Sequence, residues 1–320
     1  MHEHDLESAL DPELVNRFKD RIGLYHLSQR VLRETETFRD PFRHRDLEDL
    51  LPVDIILEWL LRLLRLKSRG SANSLAFEIT ENVVYFERLP EAFAGFRLLH
   101  LTDLHLGGNI ELVPTLLLAL DGLEYDLCIF TGDYSLDYSD SPALKPAMQQ
   151  LRDAISTDIL AVLGNHDSIF MVPWMEDMGI RVLLNESVSI KQASSSIVIS
   201  GVDDYHRFRL SNLEKALAGT AGKLVLLLNH SPEQYRHAAY AGVDLYLAGH
   251  THGGQICLPN GFAPKLNIEC GRQVGKGRWQ FKQMQGYTSR GVGTALVNAR
   301  FNCPPEIVIH ELRGGAPPPI

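Results

Sequence analysis

The sequence predicts an α/β fold in which helices cover the faces of a sheet, preceded by a helical N-terminal extension. Six short apolar runs between residues 96 and 248 each end in polar residues, and helical patterns lie between several of them. Near-continuous apolar strands that alternate with helices are typical of a sheet covered on its faces. The extension is predicted over residues 1–74, where apolar residues recur at helical spacing.

The extension contains two helix starts, at Asp11-Pro12 and at Leu51-Pro52, because proline is favoured at the first helical position. The second opens an amphipathic helix that begins at Val53 and ends at Lys67. Its charges form one narrow stripe, nearly all its other residues are apolar, and its end is basic. Such a helix either lies in a membrane interface beside anionic lipid or packs on the rest of the chain or on a partner subunit. The Ser/Gly/Asn-rich stretch 68–74 is predicted to be a break.

Residues 75–320 are predicted to form the α/β domain. Residues 75–89 are interpreted as two strands around a turn at Glu81-Asn82, and residues 273–313 as short strands. The six apolar runs are predicted as strands over residues 96–101, 127–130, 159–163, 197–199, 224–228 and 243–248. The helices between them are predicted over residues 110–120, 143–155, 211–218 and 233–241.

Composition restricts the class of protein. The chain has 320 residues, 45% of them hydrophobic, which is enough for a large apolar core. Because such a core folds without a metal, any metal site is expected to be functional and not structural. The formal charge of -9 argues against nucleic acid as a partner. The four cysteines form no Cys-x-x-Cys pair and are predicted to be reduced. Because neither a secretory signal nor a membrane-spanning run is visible, we expect a cytoplasmic protein. Peripheral attachment to the inner face of the membrane is compatible with this location.

Polar residues with metal-ligand chemistry follow most of the predicted strands. Ligands of such sheets bind outside the carboxyl ends of the strands. Residues two apart in an extended segment point the same way, so Asp103 with His105, and His250 with His252, can each converge on one point. One such pair is weak evidence, because buried histidines are common. Their joint occurrence predicts a metal site from Asp103, His105, Asp133, Asn165, His166, His230, His250 and His252.

Five motifs in this order resemble the calcineurin-like metallophosphoesterase superfamily. They are Asp-Leu-His-Leu-Gly from residue 103, Gly-Asp from 132, Gly-Asn-His-Asp from 164, a lone histidine at 230, and Gly-His-Thr-His-Gly-Gly-Gln from 249. Two further segments, Tyr-Thr-Ser-Arg-Gly-Val-Gly from residue 287 and Arg-Phe-Asn-Cys-Pro-Pro-Glu from 300, resemble the bacterial YkuE/YaeI-like phosphodiesterase branch. That branch includes enzymes that split the pyrophosphate of UDP-2,3-diacylglucosamine in lipid A synthesis.

The resemblance implies a four-layered α/β/β/α sandwich of two mixed sheets. It also implies two divalent metal ions, with Asp133 as the bridging carboxylate. By motif position the first ion takes Asp103, His105 and His252, and the second takes Asn165, His230 and His250. This mixture of imidazole, carboxylate and amide ligands suits Mn, Fe or Zn.

The resemblance also gives His166 and Asp167 catalytic roles. Since adjacent side chains diverge, His166 cannot easily bind metal beside Asn165, and it is left to protonate the leaving oxygen. Either Asp167 or Asp137 would orient it. Protein phosphatases of the superfamily carry an Asp and then an Arg where this chain has Leu136 and Asp137, which argues against a Ser/Thr phosphatase.

The function expected from these features is hydrolysis of a phosphodiester or pyrophosphate by metal-activated hydroxide. This substrate class is favoured, and a lipid-linked compound such as UDP-2,3-diacylglucosamine is one candidate within it. The alternatives are a cyclic-nucleotide phosphodiesterase, a phosphomonoesterase and a non-catalytic metal-binding scaffold. The scaffold is disfavoured, because degenerate members usually lose ligands and none is missing here.

Overall fold

The computed structural model of the chain describes residues 8–39, 53–136 and 142–316. Within these residues the predicted α/β/β/α sandwich of two mixed sheets is confirmed. The first sheet has, in spatial order, strands β1 (Glu78–Phe86), β12 (Glu306–Gly314), β2 (Arg97–Leu101), β3 (Leu127–Phe130), β4 (Ile159–Ala161) and β5 (Ile180–Val182). The second has β10 (Gly277–Phe281), β11 (Met284–Thr288), β9 (Leu245–Ala248), β8 (Val225–Leu228), β7 (Ser195–Gly201) and β6 (Glu186–Gln192).

The central strands of both sheets run parallel and the exceptions lie towards the edges. In the first sheet β12 is antiparallel to β2, while the other neighbouring pairs are parallel. In the second sheet the outer pairs β10–β11 and β6–β7 are antiparallel, and the inner pairs are parallel. This arrangement brings the carboxyl ends of β2, β3 and β4 to one edge of the first sheet, and those of β8 and β9 to one edge of the second.

Helices form the outer layers. The described helices are α1 (Pro12–Phe18), α2 (Leu24–Arg39), α3 (Val53–Leu63), α4 (Lys67–Asn73), α5 (Leu112–Leu120), α6 (Leu144–Ala154), α7 (Val172–Asp177), α8 (Leu213–Ala216) and α9 (Tyr235–Tyr240). Residues of α1, α2, α5, α6 and α7 pack on the outer face of the first sheet, and α8 and α9 pack on that of the second. A third apolar core fills the space between the sheets. Among the described residues, no helix has the length and apolar character needed to cross a bilayer.

The N-terminal helices share a core with the first sheet. Asp11 caps α1 as predicted, since its side chain accepts the backbone N–H groups of Glu13 and Leu14. Leu14 and Phe18 are buried in the same apolar cluster as the outer face of the sheet. The domain boundary placed between residues 74 and 75 stays a prediction.

Three local predictions of secondary structure are wrong. The turn expected at Glu81-Asn82 does not exist, because β1 runs through it and pairs in parallel with β12 along its whole length. Asn82 is buried there, and its side-chain amide hydrogen-bonds His310 at 2.8 Å. The amphipathic helix ends at Leu63, and the stretch expected as a break forms α4. Gly70 allows α4 to pack closely, since a Cβ there would lie 2.7 Å from the Cβ of Ala299. The four cysteines are free, as predicted.

Candidate metal centre

All seven predicted metal ligands lie in the loops that follow central strands, and all are buried. The first sheet supplies four of them after β2, β3 and β4, namely Asp103, His105, Asp133 and Asn165. The second sheet supplies the other three after β8 and β9, namely His230, His250 and His252. The two sheets therefore bring residues separated by up to 149 positions in sequence to one place.

The backbone at this edge is left-handed, not extended as the spacing argument assumed. Five of the seven ligands have a positive φ between 43° and 72°: Asp103, His105, Asp133, His250 and His252. Such conformations cost a non-glycine residue about 1–3 kcal/mol each and cluster at functional sites. The paired ligands thus converge because the chain turns at each of them, and the extended geometry predicted for these loops is wrong.

The first group of ligands consists of Asp103, His105 and His252, whose ligand atoms lie within 4.8 Å of one another. The Nε2 atoms of His105 and His252 are 3.1 Å apart. The Nε2 atom of His252 is 3.5 Å from Oδ1 of Asp103. These three residues match the set predicted for the first metal ion.

The second group consists of Asp133, His230 and His250, with Asn165 beside it. The Nε2 atom of His230 lies 3.3 Å from Oδ2 of Asp133, 3.2 Å from Nδ1 of His250 and 2.9 Å from Oδ1 of Asn165. The same Oδ2 of Asp133 lies 3.8 Å from Nε2 of His105 in the first group. Asp133 therefore stands between the two groups, where a bridging carboxylate is predicted.

Backbone carbonyls orient two of the histidines. The Nδ1–H of His105 donates to the carbonyl of Ser135 at 2.9 Å, and the Nδ1–H of His230 donates to that of Thr131 at 2.7 Å. A neutral imidazole that donates from Nδ1 presents an Nε2 lone pair, and ligand histidines in proteins commonly have such a partner. Both Nε2 atoms point at the centre, as metal binding requires.

The electrostatics of the centre favour a cation. Burial alone would lower the pKa of His230, but the carboxylates of Asp133 and Asp103 outweigh it and raise that pKa to about 10. Burial holds the pKa values of His250 and His252 well below their usual range, so these two present lone pairs. Ligand atoms about 2.0–2.2 Å from one ion lie about 3.0–3.5 Å apart, which the nitrogen–nitrogen distances above satisfy. The residues therefore fit two divalent ions.

His166 lies at the mouth of the centre and is partly exposed. Its backbone N–H donates to Oδ1 of Asp133 at 2.9 Å, and its ring meets that of His105 edge-on, with centroids 5.3 Å apart. The Asp167 carboxylate has a different environment. It is fully buried and accepts four backbone N–H groups at 2.7–3.2 Å, from Asp133, Tyr134, Ser135 and Gly164. Asp137, the other residue considered as a partner of His166, lies outside the described residues.

Sequence reasoning missed a buried charged network behind these loops. Arg30 and Glu34 of α2 contact the loop after β4, and Arg30 also contacts Asp203 after β7. The sequence places both residues in an ordinary polar pattern of a helix, which gives no signal that they are buried. Asp203 follows a predicted strand, which is the only signal that could have found it.

Comparison with known proteins agrees with this geometry. Residues 96–254 match the family model described as calcineurin-like phosphoesterase. The chain is 30% identical over 250 residues to an uncharacterized metallophosphoesterase of Bacillus subtilis, YkuE, covering 74% of this chain and 85% of the relative. It is 32% identical over 230 residues to a second, YkoQ, covering 67% and 83%. The phosphodiesterase YaeI of Escherichia coli is 31% identical over 233 residues, covering 68% and 83%.

Proposed function

The chain belongs to the calcineurin-like phosphoesterase family and is a metal-dependent hydrolase of phosphoric esters or anhydrides, and from this premise we propose that it hydrolyses a phosphodiester or pyrophosphate at a dinuclear centre. The observation that carries the proposal is the position of Asp133. One of its oxygens lies between the two ligand groups, 3.3 Å from His230 and 3.8 Å from His105. Two ions bridged in this way could hold both the attacking and the leaving oxygen of an in-line displacement.

The protein's own residues then have distinct roles. When bound, the divalent ions would polarise the phosphoryl group and lower the pKa of the attacking water. His166 would donate a proton to the leaving oxygen from the mouth of the centre. Asp167 is better supported as a positioning residue than as a catalytic one, because three backbone amides of the loop that carries Asp133 and the amide of Gly164 occupy its carboxylate. The native metal proposed is Mn, Fe or Zn.

A lipid-linked substrate is supported by the surface of α3. Six large apolar side chains of this helix and its end are 40–65% exposed: Ile55, Ile56, Trp59, Leu60, Leu63 and Leu64. Arg62 and Arg65 are exposed beside them. An apolar face with a tryptophan and flanking arginines is typical of helices that lie in a bilayer interface beside anionic lipid. Among the residues that the structure describes, the packing of the helix on the rest of the chain is on its opposite side.

That opposite side packs on a segment that also contacts the loop of the predicted ligand His252. Leu61 is buried against Val297 and Ala299. The Gln255 side chain, three residues after the ligand His252, donates to the carbonyls of the segment that carries Val297. A bilayer in contact with α3 would therefore hold a lipid-linked phosphate near the centre. We propose UDP-2,3-diacylglucosamine as the first substrate to test, from the resemblance to the branch that contains its pyrophosphatases.

The reaction is tested with Mn²⁺-loaded and chelator-stripped protein. We expect the loaded protein to hydrolyse bis(p-nitrophenyl) phosphate and the stripped protein to lose this activity, because the proposed nucleophile is a water that the metal ions activate. Mass spectrometry of UDP-2,3-diacylglucosamine, cyclic AMP and a phosphomonoester then identifies the substrate class. Asp133→Asn should be inactive and the exposed Asp121→Asn should match wild type. Full activity in verified metal-free protein contradicts the mechanism.

Membrane contact is tested by sedimentation with anionic liposomes. Replacing Trp59, Leu60, Leu63 and Leu64 with Gln should release the protein from the liposomes while hydrolysis of a small soluble diester is unchanged. Ile110→Gln with Leu118→Gln, which alters exposed apolar residues of another region, is the matched control and should still bind. If the four replacements unfold the protein, α3 belongs to the core. If wild type does not sediment with liposomes, a soluble substrate such as a cyclic nucleotide becomes the better proposal.

A further inference from the structure

Helix α2 contacts two loops beside the metal centre, those after β4 and β7, and Arg30 hydrogen-bonds to both of them. Arg30 is fully buried. It donates from Nε to Glu34, from Nη1 to Asp203 and from Nη2 to the backbone carbonyl of Asp167, each at 2.6 Å. Its guanidinium carbon also lies 3.9 Å from the centroid of the Phe208 ring. Each of the three guanidinium nitrogens thus has an acceptor.

Glu34, one turn further along α2, fixes the loop after β4. Its Oε1 accepts the backbone N–H of Ile169 at 2.7 Å, and its Oε2 accepts the hydroxyl of Ser168 at 2.6 Å. The same loop carries Asn165 and His166 immediately upstream. The contacts from α2 therefore begin next to a predicted ligand and a predicted general acid.

Asp203 connects Arg30 to the loop after β7. Its neighbour Asp204 accepts three backbone N–H groups of that loop, at 2.6–3.2 Å, and so fixes its shape. The loop presents His206 to the centre, with its ring centroid 4.1 Å from that of His250. The second loop held by α2 thus packs against a predicted metal ligand.

A buried charge network of this kind contributes little net stability, because removing the charges from water costs about as much as their attraction returns. What it provides is fixed geometry at both loops. We propose that Arg30 is a positioning residue of the dinuclear centre, which sets the separation between the loop of Asn165 and His166 and the loop of His206. This inference rests on the metal centre of the proposed function.

The test compares Arg30→Met with Arg21→Met. Arg21 also joins the N-terminal region to the rest of the chain, through Glu176 and Glu186, but the structure gives it no hydrogen bond to either loop. We expect Arg30→Met to weaken Mn²⁺ binding to metal-free protein by about 10- to 100-fold and to lower kcat with little change in KM, the usual effect of losing a partner behind metal ligands. Arg21→Met should lower the melting temperature alone. Calorimetric titration, thermal unfolding and kinetics supply the three measurements.

Wild-type Mn²⁺ affinity and kcat in Arg30→Met, whatever its melting temperature, overturn the inference. If Arg30→Met does not fold, Glu34→Gln replaces it, since the amide keeps the shape of the side chain and removes its charge. Glu34→Gln should weaken Mn²⁺ binding several-fold, and unchanged binding overturns the inference equally. A wild-type protein that binds no Mn²⁺ refutes the metal centre itself, so the two failures are distinguishable.

Discussion

The two carboxylate oxygens of Asp133 have different contacts at the centre. Its Oδ1 accepts the backbone N–H of His166, while its Oδ2 lies between the two ligand groups. Its own backbone is left-handed, and its N–H is held by Asp167. One oxygen is therefore fixed by the protein and the other is left for metal. The same contact places His166 beside the centre, where it is predicted to act as general acid.

The role of His166 gives a prediction at this scale. His166→Ala should retain two bound metal ions and lose on the order of 10²–10⁴ in kcat, the usual contribution of a general acid. The loss should shrink for esters with very good leaving groups, which need no proton. Metal analysis together with kinetics on a leaving-group series checks both statements. A variant that has lost one ion would show that His166 is a ligand.

At the scale of secondary-structure elements, a polar chain crosses four strands of the first sheet. The Arg278 Nε–H donates to Oδ1 of Asn82 on β1, which leaves the Asn82 amide to donate to Nδ1 of His310 on β12. The Nε2–H of His310 then donates to His100 on β2, and His100 donates to the hydroxyl of Thr131 after β3. Every link runs in one direction, and the last residue accepts from the predicted metal ligand His230 through its carbonyl.

The hydrogen-bonded series of side chains through His100 predicts that the stability of the protein depends on pH. Burial lowers the pKa of His100 to about 3, against about 6.5 in an unfolded chain. As the pH falls, the unfolded state therefore binds the proton before the folded state does. The contribution of His100 to the free energy of unfolding is at its maximum above about pH 6.5 and decreases towards pH 3 by about 1.4 kcal/mol per pH unit.

Denaturant unfolding of metal-free protein between pH 6 and 4 measures this slope. His100→Asn should have a smaller slope than wild type, while the exposed His237→Asn serves as the control. Equal slopes in wild type and His100→Asn would show that His100 is not held neutral in the folded protein.

For the whole molecule, the predicted metal sites join the two sheets. Asp103 and His105 come from the first sheet and His252 from the second, and the second group divides in the same way. Each ion would therefore link the two halves of the sandwich. The acidic chain loses some internal repulsion when cations bind at this edge.

Metal binding should accordingly stabilise the entire fold. An ion present at 100 times its dissociation constant contributes about 2.7 kcal/mol, which for a chain of 320 residues corresponds to a rise in melting temperature of about 4 °C per site. Calorimetric scans of stripped protein with and without Mn²⁺ measure the rise. Asp133→Asn should reduce it, and a melting temperature insensitive to Mn²⁺ in wild type would contradict the bridging arrangement.

The sequence by itself determined the central strands, most of the helices between them and the residues that meet at the centre. It could do so because metal chemistry restricts ligand types and a strand end fixes where each ligand emerges, as with Asp103, Asp133 and His230. Only the tertiary structure decided the contacts that depend on a distant partner. In the sequence Asn82 indicates a turn, whereas in the structure it pairs with His310, 228 positions away. In the sequence Arg30 is an ordinary helix residue, whereas in the structure it is buried and pairs with Asp203, 173 positions away. Local patterns carry no information about such pairs, because their free energy comes from contacts that exist only after the chain has folded.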